Sequence, residues 1–136
     1  MTTSEPAALR GSATVEVLPD ESAEKWGNTG ISVVSTPALL GRLEQLCDEA
    51  MKPEMASGEM TVGMSVTLHH RAPARVGSTI TYRVAAPSYA PKTEFTFEVL
   101  AADGTVVCEG RHQRAVIDAE RFKRSHGLAS GTGEAP

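Results

Sequence analysis

A histidine and a glutamate stand where the sequence pattern turns them toward a protein interior. His70 ends a run in which every second residue is apolar, so the two-residue repeat of a strand turns it to the apolar side. Glu44 lies four residues after Leu40 and seven before Met51, at the edge of one helix stripe. Because burial raises a carboxyl pKa and a nearby imidazole lowers it, such a pair is suited to proton transfer or nucleophilic attack.

Thr36 is a third candidate, because it stands directly before Pro37. This pair is typical of a helix start, with the threonine as the N-cap and the proline at the first helical position. Each candidate also has an ordinary structural explanation: a core histidine, a solvated glutamate and a helix cap. If the strand packs against the helix, however, the helix start, its second turn and the strand end can line one groove. We therefore treat Thr36, Glu44 and His70 as one constellation.

One helix and several strands must position these residues. The helix is predicted from about Pro37 to Met51, because apolar residues recur there at helical spacings before Pro53 and Gly58 end it. Its apolar stripe comprises Leu39, Leu40, Leu43, Leu46, Cys47, Ala50 and Met51. Alternating residues predict five strands, over residues 12–18, 61–71, 79–85, 93–100 and 105–117. Their short connections predict mostly antiparallel pairing.

The second predicted strand carries His70, and its alternation assigns each side chain to a face. The apolar residues on the face of His70 are Val62, Met64, Val66 and Leu68. Gly63 and His69 fall on the opposite face. A curved antiparallel sheet of about five strands, wrapped around the helix, buries the helix stripe completely. This is the hotdog arrangement, an α+β fold, and we predict one such domain over residues 12–125 between disordered tails at 1–11 and 126–136.

The composition of the 136 residues limits the possible partners. Thirteen Lys and Arg against seventeen Asp and Glu give a net charge of −4, so no basic excess drives binding to nucleic acid or anionic lipid. Apolar runs are far shorter than the roughly 20 residues of a membrane span, and no signal-peptide pattern occurs. The two cysteines form neither a disulfide framework nor a zinc site, and the histidines lack metal-binding spacing. We expect a cytoplasmic protein without metal or cofactor.

Several residues resemble, in type and spacing, the fluoroacetyl-CoA thioesterase branch of the hotdog thioesterases. They are Ser35 and Thr36, Glu44 eight residues after that threonine, Gly63, His70 seven residues after that glycine, and the ending Gly110-x-His112-x-Arg114. The resemblance covers about residues 33–124. It implies that Thr36, Glu44 and His70 form the catalytic set that hydrolyses an acyl-CoA thioester, and that Gly63 lines the site.

The resemblance also implies a role for each residue. Glu44 would attack the carbonyl or activate water, His70 would act as acid and base, and Thr36 would position Glu44 or the thioester. We expect a short or medium acyl group, and a homodimer with the site at the subunit interface. The alternative is a non-catalytic protein that binds an acyl or aromatic ligand in the same groove.

Both ends of the substrate need contacts. The family covers the acyl group with phenylalanines from the segment before the threonine, where this chain has Trp26 and two glycines. The phosphates of CoA need cations, and Arg71 and Arg75 follow His70 directly. Arg114 belongs to a second group of basic residues on or after the last strand. We therefore predict Trp26, Arg71, Arg75 and Arg114 as substrate-binding residues.

Overall fold

The structure, a computed structural model, describes residues 6–128. The strands and helices are β1 (Ala8–Glu16), α1 (Thr36–Met51), β2 (Glu59–His70), β3 (Thr79–Ala86), β4 (Lys92–Ala101), β5 (Val106–Asp118) and α2 (Ala119–Ser125). The five strands form one antiparallel sheet in the order β1-β3-β4-β5-β2, with β1 and β2 at its edges. None of the helices within these residues is long and apolar enough to cross a membrane.

α1 packs across the sheet and supplies one side of the core. Its fully buried residues recur every four positions: Leu39, Leu43, Cys47 and Met51. Facing them are inward side chains of the sheet, among them Tyr82, Phe95 and Val99. Fully burying one large apolar side chain contributes about 1.5–3 kcal/mol, so this stripe anchors the helix to the sheet. The predicted arrangement of one long helix wrapped by a five-stranded antiparallel sheet is confirmed.

A β-bulge at Met64 changes the predicted faces of β2. Gly63 pairs with Arg114 and Ser65 pairs with the next residue back along β5, so Met64 is an extra residue in the ladder. Before the bulge, Thr61 and Gly63 face α1; after it, the even-numbered residues through His70 do. The predicted alternation is therefore wrong before the bulge. Because of the bulge, Gly63 and His70 face the same side of the sheet.

The start of α1 also differs by one residue from the prediction. Ser35 is the N-cap, and its hydroxyl accepts a hydrogen bond from the Ala38 amide at 3.2 Å. Thr36 is the first helical residue, and Pro37 occupies the second position, where the missing N–H also has no partner within the helix. Because Ser35 caps the helix, the hydroxyl of Thr36 is available for another contact.

The first strand begins earlier than predicted. β1 starts at Ala8, so it extends into the segment 1–11 that was predicted as a disordered tail. Residues 126–128, at the start of the second predicted tail, follow α2 with a backbone hydrogen bond from Leu128 to Lys123. The remaining tail residues, 1–5 and 129–136, lie outside the described residues.

Two glycines with opposite surroundings allow a paired test of this packing. A methyl group on Gly110 would overlap the Thr67 carbonyl of the neighbouring strand and meet the ring of Phe97 at 2.9 Å. Gly41 is exposed on α1, and a methyl group there meets nothing within 4 Å. Gly110→Ala should therefore destabilise the fold by about 1–3 kcal/mol or more. Gly41→Ala should stabilise it by about 1 kcal/mol through helix propensity.

Thermal unfolding of both variants measures the difference. We expect the midpoint to fall by several degrees for Gly110→Ala and to rise by a few degrees for Gly41→Ala, since about 1 kcal/mol corresponds to a few degrees in a domain of this size. A stability for Gly110→Ala equal to that of the parent chain would contradict the close contact between β2 and β5.

Candidate active site

Thr36 and His70 contact each other where the start of α1 meets the end of β2. The Thr36 Oγ1 atom lies 2.8 Å from Nδ1 of His70. Burial lowers the pKa of His70 below its ordinary value of 6.5, although the Ala72 backbone acts in the opposite direction. A neutral imidazole at this distance can accept the hydroxyl proton, which is the geometry of a base beside a hydroxyl group. We call this pair the threonine half-site.

Glu44 lies in a second group, formed by α1, β2 and β5. Its Oε2 atom is 3.4 Å from Nη1 of Arg114 and 3.8 Å from Nε2 of His112, and 42% of its side chain is exposed. The carboxylate lies directly over Gly63, where a Cβ atom would overlap Oε2. Only glycine therefore lets the carboxylate approach the strand this closely. We call Glu44, Gly63 and Arg114 the glutamate half-site.

Arg114 is buried and held on several sides. Its Nε donates to the Thr61 hydroxyl and its Nη2 to the Thr61 carbonyl, each at 3.0 Å. Nη2 also lies 3.6 Å from Asp48, which accepts the Thr61 hydroxyl at 2.6 Å. The residue is only 6% exposed. Glu44, Asp48 and Thr61 engage its guanidinium inside the chain, which disfavours the predicted contact of Arg114 with CoA phosphates.

His112 completes this network and was missed as a site residue. It is 2% exposed, and its ring lies between the Ser65 carbonyl, at 3.0 Å from Nδ1, and Nη1 of Arg114, at 3.1 Å from Nε2. The alternation of β5 indicates its burial, because His112 and Arg114 continue an inward series along the strand that starts at Cys108. A charged residue in that series made the face look half-exposed.

A single chain keeps the two half-sites apart. Thr36 and Glu44 are eight residues apart on one helix, which separates their Cα atoms by about 12 Å along its axis. Thr36 therefore contacts His70 and not Glu44, whereas Glu44 contacts Arg114. Of the three predicted catalytic residues, Thr36 and His70 therefore form a pair within one chain, and Glu44 lies apart from them.

The remaining predicted binding residues lie at the surface. Arg71 forms an ion pair with Glu109. Arg75 is exposed, and its backbone forms an isolated β-bridge with Val33, three residues before Thr36. Trp26 is 63% exposed and precedes a glycine in the left-handed region, with φ of 104°. These positions put Arg75 beside the threonine half-site and leave Trp26 uncovered in a single chain.

Other chemistry finds little support among residues 6–128. No group of three or more His, Cys, Asp or Glu side chains there could hold a metal ion. Burial raises the pKa of Cys47 and of Cys108 to about 12. Both thiols are therefore protonated at neutral pH and are poor nucleophiles.

Comparisons with known proteins identify the family and the fold. A sequence model of the fluoroacetyl-CoA-specific thioesterase family matches residues 17–120. The fluoroacetyl-CoA thioesterase of Streptantibioticus cattleyicolor is 32% identical over 91 residues, which are 66% of this chain and 65% of that protein. The match thus spans slightly less than two thirds of the relative's length.

Solved structures with this fold include a variant of the fluoroacetyl-CoA-specific thioesterase FlK, with a TM-score of 0.78 and 21% identity over 91% of this chain and 96% of that one. A hot-dog-like protein from Thermanaerovibrio acidaminovorans gives a TM-score of 0.80 and 20% identity over 89% of both chains. A thioesterase superfamily member from Thermus thermophilus gives 0.79 and 16% over 93% of both. The chain has the predicted hotdog fold and belongs to the fluoroacetyl-CoA-specific thioesterase family.

Proposed function

We propose that the chain hydrolyses the thioester of a short or medium acyl-CoA, releasing the free acid and CoA. The observation that carries this proposal is the carboxylate of Glu44, which is half-exposed, lies over Gly63 and is held by a buried guanidinium. A carboxylate fixed in this way can act as nucleophile or base at a carbonyl carbon. Family membership supports the reaction, since the relative from S. cattleyicolor is named for thioester cleavage.

The proposed reaction uses both half-sites. Glu44 attacks the thioester carbonyl or activates the water that attacks it. In either route the carbon–sulfur bond breaks, water supplies the new oxygen of the acid, and CoA leaves as a thiolate. His70 donates its Nε2 proton to the thiolate while its Nδ1 takes up the hydroxyl proton of Thr36, so the ring stays neutral, and the proton lost by the attacking water returns to Thr36. Thr36 donates to Nδ1 of His70, which keeps the transferable proton on Nε2.

We further propose that a homodimer assembles the complete site. β2 is an edge strand, and its apolar residues Met60, Met64 and Val66 are 46, 49 and 41% exposed. An edge strand with exposed apolar side chains, and without lysine or proline between Met60 and His70, is suited to pairing with another strand. A second copy of β2 is the occupant that also solves the separation of the half-sites.

One register of that pairing joins the half-sites. An antiparallel pair with its two-fold axis at Thr67 sets His70 three residues from the axis. Gly63 is four residues from the axis in the other direction. Because the bulge takes Met64 out of the ladder, Gly63 is only three paired positions from the axis, as His70 is. Gly63 therefore lies opposite the partner's His70, and both face the side of α1, as facing residues in a sheet must. Glu44 then meets the threonine half-site of the other chain.

The surface residues complete the proposal at the two ends of the substrate. Arg75, exposed beside the threonine half-site, is proposed to bind a phosphate of CoA, whereas Arg71 is already paired with Glu109. Trp26 is proposed to contact the acyl group from the segment before α1. Two free, buried cysteines suit a reducing compartment, so the cytoplasm is the proposed location.

Replacing the reacting groups tests the reaction. Glu44→Gln and His70→Gln should each lower kcat by about 10²–10⁴-fold, because each removes a proton-transfer or nucleophilic group and keeps the side-chain size. Glu49→Gln, at an exposed position on the same helix, is the matched control and should keep the parent rate. Thiol release from a panel of acyl-CoAs measures all three.

Two outcomes would contradict the proposal. Parent-like turnover in both variants would remove Glu44 and His70 from the mechanism. Stabilisation of the parent chain by acyl-CoA, with no thiol release across the panel, would identify a binding protein instead.

Cysteine cross-linking tests the dimer and its register. In the proposed register the two copies of Thr67 face each other with Cα atoms about 4.5–5.5 Å apart, within disulfide range. Thr67→Cys should therefore give a cross-linked dimer under mild oxidation. The two copies of Ser65 are offset by four residues, or about 13 Å, so Ser65→Cys should not cross-link. A monomer by light scattering, or cross-linking of Ser65→Cys alone, would overturn this register.

Kinetics with two substrates test the arginines. Losing a phosphate contact weakens ground state and transition state alike, so Arg75→Ala should raise KM for acyl-CoA roughly tenfold at nearly unchanged kcat. A truncated thioester without the nucleotide should show no such change, and Arg71→Ala is expected to behave like the parent. Equal losses on both substrates would mean that Arg75 does not bind the nucleotide.

A further inference from the structure

His112 is the buried ring that touches two parts of the glutamate half-site. It is 2% exposed, and both ring nitrogens have a partner. A guanidinium has only donors, so Nε2, at 3.1 Å from Nη1 of Arg114, must be the acceptor. Nδ1 then carries the proton and donates to the Ser65 carbonyl at 3.0 Å. The contacts therefore select one neutral tautomer.

The surroundings of His112 favour that neutral form. Burial, the largest effect, lowers its pKa below 6.5; the Ser65 carbonyl raises the pKa, Arg114 lowers it, and Glu44 has the smallest, raising effect. Around the ring, α1 contributes Glu44 and, behind Arg114, Asp48; β5 contributes Arg114. β2 contributes the Ser65 carbonyl. At neutral pH the ring is an acceptor toward Arg114.

The two groups that His112 contacts, the Ser65 carbonyl and the Arg114 guanidinium, belong to the two parts of the structure that define the position of Glu44. Ser65 directly follows the bulged Met64, and the bulge turns Gly63 toward the carboxylate. Arg114 uses Nε and Nη2 on Thr61 and Asp48, so Nη1 remains for His112 and Glu44. Nη1 carries two protons, and an acceptor for one of them fixes the direction of the other.

We infer that His112 is a positioning residue for Glu44: its Nε2 holds one Nη1 proton of Arg114, so that the other points at the carboxylate, and its Nδ1–H ties the bulge of β2. This inference rests on the proposed thioesterase function. His112 touches no substrate in this account and acts through Arg114 and the strand. A small displacement of a reacting group can cost about 10²-fold in rate, so its loss should appear in kcat.

Two substitutions separate the contacts of the ring. The carbonyl of His112→Gln can reach the position of Nε2 and accept from Arg114, whereas the shorter amide of His112→Asn can reach only the Ser65 carbonyl. We expect His112→Gln to stay within about tenfold of the parent kcat and His112→Asn to lose about 10²-fold, both with KM nearly unchanged. His126→Asn, at an exposed histidine after α2, is the control and should match the parent.

Thermal unfolding and nitrogen NMR make the result decisive. A residue with only a structural role would lower the unfolding midpoint without ordering kcat as Gln above Asn, and equal kcat in the two variants would overturn the inference. In ¹⁵N-histidine-labelled parent chain, His112 should show a protonated Nδ1 and an unprotonated Nε2; the opposite tautomer would overturn it as well. If no acyl-CoA is cleaved, the proposed function fails, but the NMR measurement still decides whether His112 holds Arg114.

Discussion

The buried guanidinium of Arg114 is the group on which the arrangement around Glu44 depends. An unpaired charge in a protein interior is costly, and removing one partner of a buried pair costs about 3–5 kcal/mol. Arg114 avoids this cost with contacts to Asp48, Glu44 and the hydroxyl and carbonyl of Thr61. These contacts tie α1, β2 and β5 together at one point. The carboxylate of Glu44 is therefore part of the packing of the fold, even though it is half-exposed.

The length of α1 and the edge of the sheet explain why the two half-sites lie apart in one chain. A helix carries residues along its length, and eight residues of α1 separate Thr36 from Glu44. The sheet formed by residues 6–128 ends at β2, so no further strand of these residues lies across the edge from Gly63. In the proposed dimer, the β2 strand of the second chain brings that chain's threonine half-site close to Glu44 of the first chain. Each chain then contributes one half of each of two sites.

Much of this could be predicted from the sequence, for identifiable reasons. The helix stripe, the five strands and the inward direction of His70 follow from simple repeats. The cap at Ser35 was missed because Thr36 is also a capping residue type and stands directly before a proline, which is typical of the first helical position. The bulge at Met64 has no local signature, so the face of Gly63 came out wrong. The burial of His112 and Arg114 depends on partners from two other elements, which no single strand pattern contains. The acyl group does not follow from the sequence, because residues of two chains would line the proposed pocket.

The bulge at Met64 determines whether Gly63 and His70 face the same side of the sheet. Gly63 and His70 are seven residues apart, an odd number, and an unbroken strand would turn them to opposite faces. One residue withdrawn from the ladder leaves six steps, an even number, and both residues face α1. Taking Met64 back into the ladder, at unchanged strand length, would exchange the faces of Thr61 and Gly63 with those of Met60 and Val62. The bulge in β2, and not only the composition of the strand, therefore decides which of its residues face α1.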